Sequence, residues 1–433
     1  MSPVANGLWA RSWDRVSHQL GEEWASYGRL YAARLVGVVA GMVLAVFSAR
    51  ALRPQGRGEF AALATATLVT AQILNLGLSS SLVVLFSRRP RRITRYRPYL
   101  YVLPGLSMLL LAVAGAGIWL LAPSAVYLLV WWPFCTIWIP LQLLGLHQAA
   151  ALLATLGSKP LARIELTGRV TSVCLAGLSL LLFPASLPWF VGALIAADAL
   201  VAFLGARHLA RAFPLVTARS RHPTAFFKAA LRLGFRAYPL LFLPFLLVKS
   251  DILLMRAFRG SGETGVYSIA SQIIDIAQIL PITIAAVALP SIVRHANPKQ
   301  ALLRLLRPTF ALVLSLVVAL VAFGYWGIVW IFGHAYADAY PALLLLLPGF
   351  VCLALQGLLS QYFGARGFPV VLSLYWFLGL AVNVSLNFIL LPRFGLLAAS
   401  VTSSLSYALV FGLSARLFVQ ERSGGDVLLR KRG

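Results

Sequence analysis

Acid is what this chain has least of. Twelve of its 433 residues are Asp or Glu, against 37 Lys or Arg, which leaves a formal net charge of +25. Cysteine is equally sparse. Cys135, Cys174 and Cys352 fall in separate apolar stretches, which excludes a disulfide framework and a C-x-x-C metal site. The six histidines (His18, His147, His208, His222, His295 and His334) are scattered without metal-ligand spacing and read as packing residues. No phosphate-binding loop is present; "LGSKP" (Leu156–Pro160) lacks the spacing, so ATP does not drive this chain directly. No G-x-S-x-G nucleophile elbow occurs, and only Glu59, Glu263 and Asp338 lie in or beside the short outer loops. A membrane-embedded glycosyltransferase or polymerase, which presents acids in a sizeable soluble loop, fits poorly. The expectation is no enzyme, no cofactor and no metal.

Apolar residues fill the space that acid leaves. They make up 60% of the chain, only 11% is charged, and mean hydropathy is +0.85, far outside the range of a soluble domain. Apolar runs long enough to cross a hydrocarbon layer of about 30 Å recur from end to end. Twelve are expected, over 30–50, 60–86, 99–121, 125–148, 163–183, 187–206, 238–257, 266–290, 309–332, 341–364, 370–391 and 396–418. The fold class is therefore all-α, a polytopic membrane protein.

The placement of the basic residues decides what the net charge means. Arg50, Arg53, Arg57, Arg256, Arg259 and Arg393 fall in outer loops, and Arg34, Arg169 and Lys249 fall inside spans. The other 28 fall on one side, including "SRRPRRITRYRP" (Ser87–Pro98) and the connector from Arg207 to Arg236. That bias puts both termini in the cytoplasm. Most of these residues serve topology and anionic lipid; nucleic acid is not an expected partner, since no compact basic domain exists to carry it. Residues 1–29 lack the apolar core of a cleavable signal and carry Trp9, Trp13, Val16, Leu20, Trp24 and Tyr27 at helical spacing. They are expected to form a helix lying in the cytoplasmic interface. Thr224–Pro239 ("TAFFKAALRLGFRAYP") has the same character before span seven.

A repeat organises the rest. "RALRPQGRGEFAALATATLVTAQIL" (Arg50–Leu74) returns 206 residues later as "RAFRGSGETGVYSIASQIIDIAQIL" (Arg256–Leu280), with nine of 25 positions identical and no gap. Gly28/Gly234 and Leu35/Leu241 extend the register. Six spans per copy make a parallel repeat, with a substrate cavity expected between its two lobes. The expected divisions are the interfacial segment 1–29, an N-lobe over 30–206, a basic connector over 207–237, a C-lobe over 238–418 and a cytoplasmic tail over 419–433.

Comparing the copies isolates candidate chemistry. Lys249 stands where the first copy has Val43, Asp251 where it has Ala45, Asp275 where it has Val69, and Arg34 where the second has Leu240. An ionisable group in hydrocarbon costs about 2.5–3.5 kcal/mol on insertion scales, so each addition needs a reason. Lys249 and Asp275 are each 13 residues from Gly262, on antiparallel arms, and are expected to pair near mid-membrane. Asp251 points elsewhere and lies nearer the outer surface, where water would reach it. Glu165 and Arg169 read as an i,i+4 intrahelical pair, and Asn383, Asn387, Gln72, Gln278, Gln356 and Gln361 as interhelical hydrogen-bonding residues. Asp198 has no evident partner. Pro239, Pro244, Pro281 and Pro290 are expected to break spans seven and eight at a cavity wall.

"GEF" (Gly58–Phe60), "GVYSIA" (Gly265–Ala270), "KSDILLMRAF" (Lys249–Phe258), "LPITIAAVALPSI" (Leu280–Ile292) and "FGHAYADAYPALLLLLPG" (Phe332–Gly349) resemble the polysaccharide-biosynthesis flippases. These belong to the multidrug/oligosaccharidyl-lipid/polysaccharide exporter superfamily. The resemblance spans nearly the whole chain. It implies that spans one, two, seven and eight line a central cavity, which would put Arg34, Gln72, Lys249, Asp251, Asp275 and Gln278 on or near it. It also implies a lipid-linked glycan as cargo, polysaccharide-assembly membrane proteins as partners and a plasma (inner) membrane location. Twelve spans are fewer than the fourteen of the lipid-linked peptidoglycan-precursor flippases, which counts against that branch.

The charge bias makes a direct prediction. Single cysteines placed within 88–97, 211–228 or 294–304 should react with an impermeant thiol reagent only from the cytoplasmic side. Reaction from outside at any of them would reverse the orientation and end the parallel-repeat argument.

Overall fold

The computed structural model describes residues 3–121, 126–214, 223–294, 297–366 and 369–420, with the side chains of 3–35 among those outside the description. Its helices are α1 (Pro3–Asn75), α2 (Leu78–Arg88), α3 (Ile93–Tyr96), α4 (Tyr99–Leu121), α5 (Val126–Leu156), α6 (Ser158–Leu182) and α7 (Leu187–Ala212). They continue as α8 (Pro223–Ala277), α9 (Ile279–Arg294), α10 (Pro298–Phe332), α11 (Ala339–Ala365) and α12 (Val371–Gln420), with no strand among the described residues. Eight of the described helices are long and apolar enough to cross a membrane. Three helices fold back on themselves, α1 at Arg53, α8 at Gly260 and α12 at Gly395, so each holds two of the expected spans. The result is an all-α multi-pass fold of about twelve spans.

The turns explain themselves from sequence. Pro54 bars the preceding residue from helical ψ, and Arg53 takes φ 59°, ψ 176°. In the second copy the turn falls one position later in the register, at Gly260, which takes φ 80°, ψ −177°, the same conformation carried by a residue without a Cβ. In Arg53 that conformation is strained, by about 1–3 kcal/mol.

The chain groups into two compact units. One comprises 1–44, 74–183 and 188–236; the other comprises 45–73, 184–187 and 237–433. Residues 45–73, expected in the N-lobe, thus group with the second unit. In the first unit, Phe86, Ile93, Leu100, Leu152 and Leu209 form a buried core. Phe226 stacks on Tyr96 with centroids 3.9 Å apart. The segment before span seven is therefore packed through Phe226 rather than lying free along a surface. Residues 3–29 continue into the first span with Arg53 the first non-helical position, so no break separates an interfacial helix from that span. Residues 215–222 of the connector and 421–433 of the tail lie outside the described residues.

In the second unit the two hairpins of the repeat cross at glycine. A Cβ on Gly58 would overlap the carbonyl of Ser261, and one on Gly265 would overlap the carbonyl of Pro54. A shift of 207, one more than the sequence register, carries Pro54 onto Ser261 and Gly58 onto Gly265, so the two contacts are nearly two-fold symmetric. Around it pack Ala45, Ala49, Met255, Tyr267, Tyr336, Leu343 and Phe350.

The proline expectation needs correcting. α8 runs unbroken through Pro239 and Pro244, because Gly260 is its one non-helical residue. Losing a single amide donor is tolerated where the neighbouring rungs survive. The interruptions fall in the second helix of each copy instead. In the first, Leu76 (φ 48°) and Gly77 (φ 73°) separate α1 from α2. In the second, the helix is interrupted at Gln278, three residues before Pro281, and Pro290 sits inside α9.

Candidate functional site

Four of the six candidate residues sit on the two arms of α8 or where it meets α9. Lys249 Nζ lies 2.7 Å from Asp275 Oδ2, and the side chains are 21% and 42% exposed. The expected pair forms, and both of its side chains stay partly exposed. An ion pair that water reaches is screened, weak and easily parted.

Asp251 is the opposite case. It was expected near outer water, yet it is 1% exposed. Two residues along the helix from Lys249, it turns toward α12. Tyr267 donates to its Oδ2 at 3.0 Å and Asn387 Nδ2 to its Oδ1 at 2.8 Å, and Ser403 Oγ donates to the same carboxylate. A second ring supports the first. Thr402 Oγ1 donates to Asn387 Oδ1 at 2.8 Å, Asn387 to Asn383 Oδ1 at 3.2 Å, and Ser250 to Asn383 Oδ1 at 3.1 Å. Asn383 and Asn387 are therefore the cage of one carboxylate as well as interhelical ties. Tyr267, Thr402, Ser403 and Ser250 had no place in the sequence reading; the small-hydroxyl run "VTSSLS" (Val401–Ser406) was the signal that could have found Thr402 and Ser403. One carboxylate stands among neutral groups, the hydroxyls of Tyr267 and Ser403 and the amide N–H of Asn387. Such a set suits a proton or a hard monovalent cation better than a divalent ion. Among the described residues no group of three or more His, Cys, Asp or Glu could hold a metal.

The remaining candidates divide. Gln278 is buried and its Oε1 has no hydrogen-bond partner. Its repeat mate Gln72 is half-buried, and the Gln72 carbonyl accepts from Tyr238 Oη at 3.1 Å. Arg34 lies on α1, and its side chain is outside the described residues. Gln356 is 2% exposed with both amide atoms unpartnered, so it is not the hydrogen-bonding tie expected of it. The ion pairs among the described residues include Lys249–Asp275, Arg256–Glu59 and Arg259–Glu263. Arg169 lies along Gly37 of α1 and acts electrostatically on Asp198. Asp198 gains a partner the sequence did not show, accepting from Trp138 Nε1 at 2.8 Å.

One buried charge escaped the sequence reading altogether. Arg57, counted as an outer-loop arginine, is 6% exposed. It donates from Nη1 to Ser48 Oγ at 2.6 Å, from Nη2 to Gln272 Oε1 at 2.6 Å and from Nε to Ser268 Oγ at 3.1 Å. All three partners are neutral. Nearby, Tyr336 donates to the Ala49 carbonyl at 2.9 Å. Burial pushes its phenol up to about 12, against the opposing pull of Arg57, so it stays a neutral donor.

No protein-family model matches the chain, and no curated protein matches it in sequence. Solved structures do match in fold. Lipid II flippase MurJ, in an inward closed conformation, superposes with a TM-score of 0.73 over 90% of this chain and 87% of its own, at 12% identity. An inward-facing multidrug resistance MATE family transporter of the MOP superfamily gives 0.65 over 88% and 94%, at 13% identity. The MATE transporter VcmN of Vibrio cholerae gives 0.63 over 92% and 96%, at 12% identity. The chain shares its fold with these solved transporters, one of which is described as belonging to the MOP superfamily.

The two carboxylates of α8 should answer differently to mutation. Asn387→Leu strands the buried Asp251 and should lower the melting temperature clearly, a penalty of about 1–3 kcal/mol or more. Asp251→Leu combined with it should recover part of the loss. A Lys249→Ala/Asp275→Ala cycle should show coupling of about 1 kcal/mol or less if the exposed edge of that pair faces an aqueous cavity. Thermal unfolding in detergent measures all of these; an Asn387→Leu protein as stable as wild type would contradict the buried cage.

Proposed function

We propose that this protein is an alternating-access flippase that carries a polyprenyl-pyrophosphate-linked oligosaccharide from the cytoplasmic to the outer leaflet of the inner membrane. Both termini are cytoplasmic in this reading, and polysaccharide-assembly membrane proteins receive the product. The observation that carries it is the partly exposed Lys249, held by the one partly exposed carboxylate of Asp275, at a level where the other copy has only valine. A pyrophosphate crossing hydrocarbon must have its lost hydration replaced by fixed positive charge and hydrogen-bond donors. A strong dry ion pair could not release its lysine for that purpose; a wet one can. Arg34 would receive the pyrophosphate near the inner leaflet, its planar fork matching two phosphate oxygens. Lys249 would take it at mid-membrane while Asp275 holds the lysine before and after. Gln72 and Gln278 would offer neutral donors to the sugar. Two six-helix lobes would rock to carry the headgroup, while the polyprenyl tail stays in lipid.

The span count no longer separates this chain from the precursor flippases, since the fold likeness covers 87% of MurJ. Cargo has to be argued from charge. A second reading, a cation- or proton-coupled drug exporter, draws on the Asp251 cage, whose single carboxylate could take up the coupling ion. The two readings share that cage and differ in what Lys249 touches.

Reconstitution in liposomes with a fluorescent polyprenyl-pyrophosphate glycan tests the proposal. Wild-type protein should move the lipid between leaflets. Lys249→Val with Asp275→Val, and separately Arg34→Leu, should insert normally and lose flipping by about tenfold or more. Well-inserted variants that flip at wild-type rates would remove the cationic mechanism. Export of a cationic drug without glycan movement would replace it with the second reading.

A further inference from the structure

The outer turn of the first copy holds a basic cleft for which the cargo reading has no use. Arg50, Arg53, Pro54, Gly333, His334 and Tyr336 are among the residues lining a cavity of about 370 Å³. No carboxylate lines it; Asp338, the nearest acid in sequence to His334, is outside it.

The repeat supplies a control for this cleft. In the second copy the corresponding arginines are neutralised, Arg256 by Glu59 at 2.7 Å and Arg259 by Glu263. In the first copy Arg50 and Arg53 form no ion pair with any described residue. Arg50 is instead fixed by donating from Nε to the Ile331 carbonyl at 2.8 Å and from Nη2 to the Trp330 carbonyl at 2.6 Å, at the C-terminal end of α10. Those two bonds leave the N–H groups of Nη1 unspent and hold the guanidinium rigid. Arg53 is kept in a left-handed, extended conformation that the other copy places one register position later, on Gly260. An arginine where glycine would relieve strain, on the side of the membrane where basic residues are rare, needs a purpose that backbone geometry does not supply.

We propose that this cleft is an anion site for a phosphate-bearing group at the level of the outer headgroups, with Arg53 and the free edge of Arg50 as its donors and His334 closing one side. Two arginine forks side by side match the oxygens of a phosphate or pyrophosphate. The group could arrive on a phospholipid headgroup or as a soluble or cargo-borne phosphate, and the chemistry of recognition is the same.

Arg53→Gly tests the site without endangering the fold, because it installs the residue that the second copy uses at the same dihedral angles. It should melt at or above the wild-type temperature. In nanodiscs of neutral phosphatidylcholine, wild-type protein should bind inorganic pyrophosphate and Arg53→Gly should bind it about tenfold more weakly or worse. Arg393→Gln, which removes another outer arginine from outside the cleft, should leave binding unchanged. If wild type ignores pyrophosphate but retains phosphatidylglycerol by native mass spectrometry, and Arg53→Gly loses that retention, the site stands with a lipid headgroup as its ligand. Binding of both probes indistinguishable between wild type and Arg53→Gly would overturn the site, as would an equal loss in Arg393→Gln. The titration involves no transport, so its failure leaves the cargo reading intact, and a failed flipping assay leaves this site intact.

Discussion

The structure turns on the approach of two backbones. At the crossing of the α1 and α8 turns, Gly58 and Gly265 leave no room for a Cβ on either side. Close approach there lets Arg57 span from Ser48 on its own hairpin to Ser268 and Gln272 on the other, and lets Arg256 reach Glu59. A side chain at either glycine would separate the hairpins and leave the buried guanidinium of Arg57 short of partners, which is expensive in a dry setting. The near two-fold relation of the two contacts shows the duplication as a contact surface and not just as a pattern in the sequence.

Charge inside the apolar core is handled in three ways. Lys249 and Asp275 neutralise each other while both remain partly exposed. Asp251 is dry and is held by hydroxyl and amide donors. Arg57 is dry and is held by neutral acceptors. The first-copy counterparts of Asp251 and Asp275, Ala45 and Val69, are buried apolar residues. Only the second copy therefore carries ionisable groups at these places, and the weak pair and the dry cage suit different tasks. A screened pair can exchange partners at little cost, while a caged carboxylate changes state only by taking up a positive charge.

Much of the fold was legible because its causes are local in sequence. Hydropathy marked the spans, and the repeat brought Lys249 and Asp275 to one level through nothing more than helix rise. Asp251 was misplaced because depth along a helix says nothing about which neighbour covers it; α12, which covers it, lies more than a hundred residues away. Ser403 and Asn387 could not be assigned to Asp251 for the same reason, and Tyr267, on the returning arm of α8 itself, gave no signal of its own. Arg57 was read as an outer-loop arginine because loop position suggests exposure, and only the glycine crossing buries it. The prolines misled in the other direction. Pro239 and Pro244 each remove one hydrogen bond without redirecting the chain, whereas Arg53 before Pro54 redirects it completely.

If the protein works by alternating access, the crossing of the two turns has to part in every cycle. The Gln55 side chain lies 3.8 Å from where a Cβ on Gly262 would sit, so these two positions can be tied across the crossing. In a background with Cys135, Cys174 and Cys352 replaced, Gln55→Cys with Gly262→Cys should crosslink under oxidation. Leaflet crossing of the lipid-linked glycan should then stop and should return on reduction. Continued flipping by fully crosslinked protein would contradict the account at its centre.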